Sequence, residues 1–306
     1  YYYHWPSKKL TLIGVTGTRG KTTVTNLIYE ILKVATEKSD KNKVLLGGNI
    51  RGISTLALLK KNLKPEDMVV LELDSWQLQG FHTEKISPHV AVFTNLLIDH
   101  QNYYGGSMEK YLADKAGIFL NQQSGDFLIV GSGVANLLKK KYKTQIKGHF
   151  VEVDVKNWLV GLKTKLLGEH NKLNVLLALE AVRALGISDS VSRRAIKDFA
   201  GVPGRLELVA EKDGLRFFND TTATTPDGVI AALRSLIPAL KKNGRIVLLG
   251  GGMDKELDYK NYGQEIKKTP LRALVLFKGT GSDKILAELQ AKKNGQKEVP
   301  TFVVEN

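Results

Sequence analysis

The sequence predicts an α/β fold: two consecutive domains, each built on a mostly parallel sheet with crossover helices. Three observations predict it. Short β-branched and leucine-rich runs alternate with segments of helical period along the chain. Several of those runs end in a glycine-rich turn that opens a helix, as in βα units. The alternation pauses at Gly201-Val202-Pro203-Gly204 and then starts again. That pause sets a first domain at residues 8–203 and a smaller second one at 204–306, with residues 1–7 as a linker.

Leu10 to Val15 is an apolar strand that runs into a glycine-rich turn. From Thr22 the period changes: Val24, Leu27, Ile28, Ile31 and Leu32 share one face of a helix. Met68 to Leu73 reads as a buried strand after the Pro65-Glu66-Asp67 turn, and Val90 to Thr94 and Phe127 to Val130 read alike. Glu109 to Leu120 and Leu173 to Leu185 are helical by spacing. In the second domain Leu215 to Asn219 is a strand. Pro226 starts a helix with Thr225 as N-cap. Arg245 to Leu249 runs into Gly250-Gly251-Gly252, and Leu271 to Phe277 runs into Gly279-Thr280-Gly281-Ser282 and a helix.

The chain has 306 residues, 42% hydrophobic and 25% charged, enough to bury a real core. It has no cysteine, which excludes disulfides, Cys-ligated zinc, iron–sulfur clusters and thiol nucleophiles. No apolar run is long enough to span a membrane. The start, Tyr1 to Lys9, is not followed by the apolar stretch of a signal peptide. A soluble, cytoplasmic protein is expected. The net charge of +14 suits anionic partners. Its densest cluster, Lys139, Lys140, Lys141 and Lys143, reads as a solvated face, with a nucleic-acid patch as the alternative.

The strongest motif is Thr16-Gly17-Thr18-Arg19-Gly20-Lys21-Thr22-Thr23, set between a strand and a helix. Glycines let backbone N–H groups turn toward a phosphate, and the helix N-terminus adds positive partial charge. Lys21 can reach the outer phosphates, and the Thr22 hydroxyl can ligate Mg²⁺. The longer Walker pattern is not met, because Val15 stands at its first glycine; the shorter G-x-x-G-K-T form is. The alternative is a glycine turn with an exposed lysine. Glu72, in an apolar strand, is costly unless it is paired or ligates a cation; the alternative is a solvent-facing acid on an edge strand. Lys115 shares a helix stripe with Tyr111 and Phe119, so it must snorkel, pair or change its chemistry.

The loop resembles that of the Mur ligase superfamily, which includes folylpolyglutamate synthetase. Further stretches resemble the family's D-glutamate-adding member, in the same order. They are Gly47-Gly48-Asn49-Ile50, Leu71-Glu72-Leu73-Asp74-Ser75-Trp76-Gln77-Leu78, and Asn95 with Asp99-His100. Gly168-Glu169-His170-Asn171 with Asn174, Gly201 to Glu207, and Asn219-Asp220-Thr221-Thr222-Ala223-Thr224 follow. The resemblance covers about residues 11 to 258.

The resemblance implies a central P-loop-type ATPase domain followed by a smaller Rossmann-like domain. It implies ATP bound by Gly17, Thr18, Gly20, Lys21, Thr22, Thr23, Asn171, Asn174, Arg205 and Asp220. It implies two Mg²⁺ ions on Thr22, Glu72, His100 and Lys115, the lysine being carbamylated by CO₂. Lys21, Glu72, His100 and Lys115 are then the catalytic set. Asn49, Ser75, Thr224 and Lys255 fall to the substrates, UDP-N-acetylmuramoyl-L-alanine and D-glutamate. No nucleic-acid partner is implied, and a monomer is expected. A structural histidine at position 100, an ion pair of Lys115 near Asp114 or with a phosphate, and an N-capping Asn171 remain alternatives. Asp74, Thr222 and Gly204 depart from the D-glutamate member's pattern. The family's N-terminal UDP-binding domain has no counterpart before residue 8, and the second domain is expected to be truncated at its end. A related ligase for another amino acid, a folylpolyglutamate synthetase-like enzyme, a non-catalytic ATP-binding relative and a nucleic-acid-dependent ATPase are the other readings.

Overall fold

The computed structural model describes residues 10–37, 42–53, 55–254, 256–290 and 299–305. The expectations for Lys255 and for a linker at 1–7 lie outside the described residues. The chain divides into two compact units, Tyr1–Val202 and Pro203–Asn306.

The first unit is built on a six-stranded, wholly parallel sheet. Its strands are β1 (Thr11–Thr16), β2 (Val44–Gly48), β3 (Met68–Glu72), β4 (Val90–Phe93), β5 (Phe127–Gly131) and β6 (His149–Val153), in the order β2-β3-β1-β4-β5-β6. Helix α1 (Lys21–Thr36) follows β1, α2 (Ser75–Thr83) follows β3, and α3 (Gln101–Tyr104) and α4 (Met108–Ala116) follow β4. Helix α5 (Ser132–Tyr142) follows β5, and α6 (Glu169–Arg183) and α7 (Asp189–Asp198) close the unit.

Both faces of the sheet are covered, which is why its central strands are continuous apolar runs. Alternate residues serve the two faces. Ile13, Val15, Val70, Val92 and Ile129 pack with the α1 stripe Val24, Leu27, Ile28, Ile31 and Leu32, and with Val175, Leu177 and Ala178 of α6. Val69, Leu71, Ala91, Phe93, Leu128 and Val130 pack on the other side against Leu78 and Phe81 of α2, Leu112 of α4 and Leu138 of α5. Burying each such side chain stabilises the fold by about 1.5–3 kcal/mol relative to exposure.

Two helix bounds differ from the sequence expectation by four residues. Helix α4 ends at Ala116, not Leu120. Gly117 lies against the Leu78 carbonyl of α2, 2.8 Å from where a β-carbon would stand, and the chain turns there. Helix α6 starts at Glu169, with Gly168 as N-cap at φ 93°.

The second unit has a hairpin and a parallel layer. β7 (Glu207–Lys212) and β8 (Leu215–Asn219) pair antiparallel around Asp213-Gly214. Both turn residues have positive φ, as a tight hairpin requires. β9 (Ile246–Gly251), β10 (Leu271–Phe277) and β11 (Thr301–Val304) form a parallel sheet with β10 central. Ile230 and Leu233 of α8 (Pro226–Leu236), Tyr262 and Ile266 of α9 (Lys260–Lys268) and Ile285 of α10 (Thr280–Gln290) pack with Leu274 and Leu276. Val247, Leu249, Phe277 and Phe302 of the same sheet are exposed.

Candidate functional site

The order β2-β3-β1-β4-β5-β6 reverses direction between β1 and β4. In open parallel sheets ligands gather at the carboxyl ends of strands beside such a reversal. The phosphate-loop motif leaves β1 there, and the Asn95–Asp99 segment leaves β4 beside it.

Backbone geometry requires two of the loop's glycines. Gly17 has φ 135° and Gly20 φ 83°. A β-carbon on Gly17 would strike the Thr94 hydroxyl, and one on Gly20 would strike the Asn174 amide oxygen. Gly20 is the N-cap of α1 and no side chain caps it. An uncapped helix start aims amide donors and positive partial charge at the loop. Lys21 folds back across the loop, and its Nζ donates to the carbonyls of Gly17 (3.1 Å) and Thr18 (3.2 Å). Thr22 is half-buried beside it in the first helical turn, and Thr23 is buried.

The β4 exit clasps the loop. The hydroxyl of Thr94 and the amide of Asn95 both donate to the Arg19 carbonyl, at 2.6 and 3.1 Å. The amides of Thr18 and Arg19 donate to the carbonyl and side-chain oxygens of Asn95. The Arg19 guanidinium pairs with Asp99 at 3.0 Å. The Thr18 hydroxyl is turned inward, accepting from the Leu97 amide at 2.9 Å. Arg19 and Thr94 were not among the expected site residues. Nothing in the sequence pointed to Thr94, because its role exists only once β4 lies beside β1.

Lys115 is 1% exposed. Its Nζ donates to the Gly17 carbonyl at 2.9 Å and to the Thr16 hydroxyl at 3.4 Å, and lies 4.7 Å from the centre of the Tyr111 ring. Burial, with the nearby Lys21 ammonium, lowers its pKa to about 7, against the pull of Asp74, Asp99 and Glu72. The ion pair near Asp114 is not made. Asp114 accepts from Gln79 and the Tyr104 hydroxyl instead.

Glu72 is the last residue of β3, in register with Val15 and Gly48. It is buried, not solvent-facing; its Oε2 receives no hydrogen bond, and the carboxylate lies in the field of Lys115. Gly48 has φ 91°, and the exposed Asn49 donates its amide to the Glu72 carbonyl at 2.8 Å. Ser75, also buried, opens α2. Asp74 caps that helix: its Oδ1 accepts from the Gln77 amide at 2.7 Å, and Gln77 returns a bond to the Asp74 amide. This departure from the family pattern thus has a structural role.

His100 takes the left-handed conformation at φ 52°. Its ring meets the edges of Trp76 at 4.7 Å and Tyr111 at 5.9 Å, with Asp99 at 3.9 Å. Burial lowers its pKa, Asp99 opposes that, and the Lys115 and Lys21 charges add to it. Among the described residues no three His, Asp or Glu side chains converge on a metal position. Magnesium needs no such cage. It binds through one or two carboxylates together with water and phosphate oxygens, and a buried carboxylate at the strand end with Thr22 at the neighbouring helix start fits that demand.

Asn171 and Asn174 face the same way on α6. The Asn174 amide donates to the Asn171 oxygen at 2.9 Å, and the Asn171 amide donates to the Leu167 carbonyl at 2.8 Å. Asn171 is not the N-cap, since Gly168 holds that place. The packing of α6 on α1 brings Asn174 against the phosphate loop at Gly20.

In the second unit Arg205 is exposed and Asp220 half-buried. Asp220 accepts the Leu206 amide at 2.9 Å. Burial raises its pKa, against that bond and the Arg205 charge. The other two departures are partners of each other: Thr222 donates its hydroxyl, at 2.7 Å, and its amide, at 3.1 Å, to the Gly204 carbonyl. Thr224 is exposed.

Residues 15–182 match the model of the Mur ligase middle domain, and residues 204–305 match that of the Mur ligase, glutamate ligase domain. The chain is 32% identical over 311 residues to the UDP-N-acetylmuramoylalanine–D-glutamate ligase of Chlorobium limicola, covering 91% of this chain and 64% of that one. It is 34% identical over 295 residues to the ligase of the same name from Geobacillus kaustophilus, covering 90% and 61%. It thus spans about three-fifths of the length of these curated relatives. Among solved structures, MurF from Acinetobacter baumannii shares the fold, with a TM-score of 0.69 at 19% identity over 100% of this chain and 75% of that one. With a loop of this geometry and both domain models matched in order, the chain belongs to the Mur ligase family.

Proposed function

We propose that the protein is an ATP-dependent ligase that joins D-glutamate to UDP-N-acetylmuramoyl-L-alanine in the cytoplasm. The observation that carries this reading is that the Nζ atoms of Lys21 and Lys115 meet at the Gly17 carbonyl of the loop, with buried Glu72 at the end of the strand beside β1. The names of the relatives supply the substrates.

In the proposed reaction the acceptor carboxylate attacks the γ-phosphorus of ATP, and ADP leaves. The D-glutamate amine then attacks the acyl carbon, phosphate leaves with the bonding pair, and the amine loses a proton. Lys21, held at the loop, stabilises charge on the transferring phosphoryl oxygens. Thr22 and Glu72 hold one Mg²⁺, and His100 with carbamylated Lys115 holds a second. Bound there, magnesium neutralises phosphate charge. A pKa near 7 supports the carbamate, because a substantial neutral fraction of the Lys115 amine can add to CO₂ and release a proton. Asn171 and Asn174 serve the nucleotide from α6. Arg205 and Asp220 serve it from the second unit, and Asn49, Ser75, Thr224 and Lys255 serve the two substrates.

The test is a panel of radiolabelled amino acids, with UDP-N-acetylmuramoyl-L-alanine or a folate as acceptor, on the full-length protein. Incorporation of D-glutamate into the nucleotide-sugar acceptor, with phosphate release that needs both substrates, is expected. ATP hydrolysis indifferent to either substrate would overturn the reading.

A further inference from the structure

The exposed lysine run on α5 borders an edge of the first unit's sheet. Strand β6 is an edge of the first unit's sheet, paired only to β5 among the described residues. Beside it lies an open cleft of about 730 Å³ lined by Lys139, Lys140, Lys143, Ile146, Phe150 and Glu152, among others.

The backbone parity of β6 matters here. The His149 amide donates inward, to the Asp126 carbonyl on the β5 side at 2.7 Å. In a parallel ladder alternate residues bond to the same neighbour, so Val151 also faces β5. The amides and carbonyls of Phe150 and Glu152 therefore point outward, along the open edge. These two residues also line the cleft.

Charge selects what could add there. Lys139 is engaged, with Nζ 2.7 Å from Glu152 and 4.9 Å from the Phe150 ring centre. The ammonium groups of Lys140 and Lys143 make no ion pair or hydrogen bond among the described residues, and both residues are exposed. Two free ammonium groups beside an open edge repel the same edge of a second copy, a device that guards edges from self-pairing. The same two charges favour a strand whose alternate side chains are acidic. Ile146 and the Phe150 ring give such a strand apolar contact between its acids.

We propose that the open edge of β6 and the lysine-lined cleft beneath α5 bind an extended acidic segment of a partner protein, which adds to the sheet as a further strand. Backbone bonds to Phe150 and Glu152 hold it, and Lys140 and Lys143 select its charge.

Fluorescence anisotropy with a labelled octapeptide of alternating Glu and Val tests this, against the same peptide with Lys for Glu. The acidic peptide is expected to bind, more weakly at higher salt, and to slow hydrogen exchange at the Phe150 and Glu152 amides. The double variant Lys140→Glu, Lys143→Glu, both exposed positions, is expected to lower its affinity by about tenfold or more while its circular dichroism and ATP affinity stay those of the parent. Failure of the acidic peptide to bind, or equal binding of both peptides, overturns the proposal. So does binding without protection at the two amides, which would mean general attraction to a basic surface.

Discussion

The amide oxygen of Asn174, on α6, occupies the space that a β-carbon on Gly20 would need. A helix from the far end of the unit thereby fixes which residue the phosphate loop accepts. Gly20→Ala must move Asn174 and also hold φ 83°, a backbone cost of about 1–3 kcal/mol. ATP affinity by calorimetry is expected to fall about tenfold or more. Unchanged affinity would separate this loop from nucleotide binding.

Lys21 donates to the loop carbonyls of Gly17 and Thr18 and plays no part in the apolar core. Lys21→Ala is expected to lower ATP turnover by about a hundredfold or more while leaving the unfolding midpoint near that of the parent. Normal turnover, or an unfolded variant, would refute its assignment to the phosphates.

Lys115→Ala is expected to remove most ligase activity. On the proposed carbamate, a short carboxylic acid in the medium should restore part of it by supplying the missing anion. Rescue by small amines and not by acids would assign Lys115 the role of an ammonium.

The same lysine makes a separate claim on stability. Burial lowers its folded-state pKa to about 7 from 10.5. Between those values the unfolded chain binds more protons, so this residue makes stability rise with pH across that window. Lys115→Met removes the group, while the Gly17 carbonyl keeps Lys21 as a donor. In buffer free of CO₂ and magnesium, urea unfolding from pH 7 to 10 should rise more steeply for the parent than for Lys115→Met. Parallel curves would contradict a buried amine of lowered pKa.

The strands β1, β3, β4, β5, β8, β9 and β10 were legible because buried strands are unbroken apolar runs, or end in turns of definite chemistry. β6, with exposed His149 and Glu152, and β7, Glu207–Lys212, carry no such pattern and were not found. Helices α7 and α9 are dominated by charge, and α5 hides behind its lysines. Helix α2 carried a readable start, Asp74 with Gln77 three residues later, which resemblance to a family motif overshadowed. In the site, loop residues with local roles were legible. The clasp by Thr94, the Arg19–Asp99 pair and the contact of Asn174 with Gly20 were not, because each joins segments more than seventy residues apart.

The reversal of strand order between β1 and β4 also has a kinetic side. The phosphate loop is contiguous in sequence, yet the Thr94 and Asn95 bonds that shape it form only after a chain excursion through β2, β3 and α2 has closed. Contacts of such sequence separation are slow to form. The loop should therefore acquire its shape late in folding, when β4 docks. Any ligand that requires the shaped loop adds its binding free energy to the β1–β4 seam. Amides along that seam should then exchange more slowly in step with nucleotide concentration.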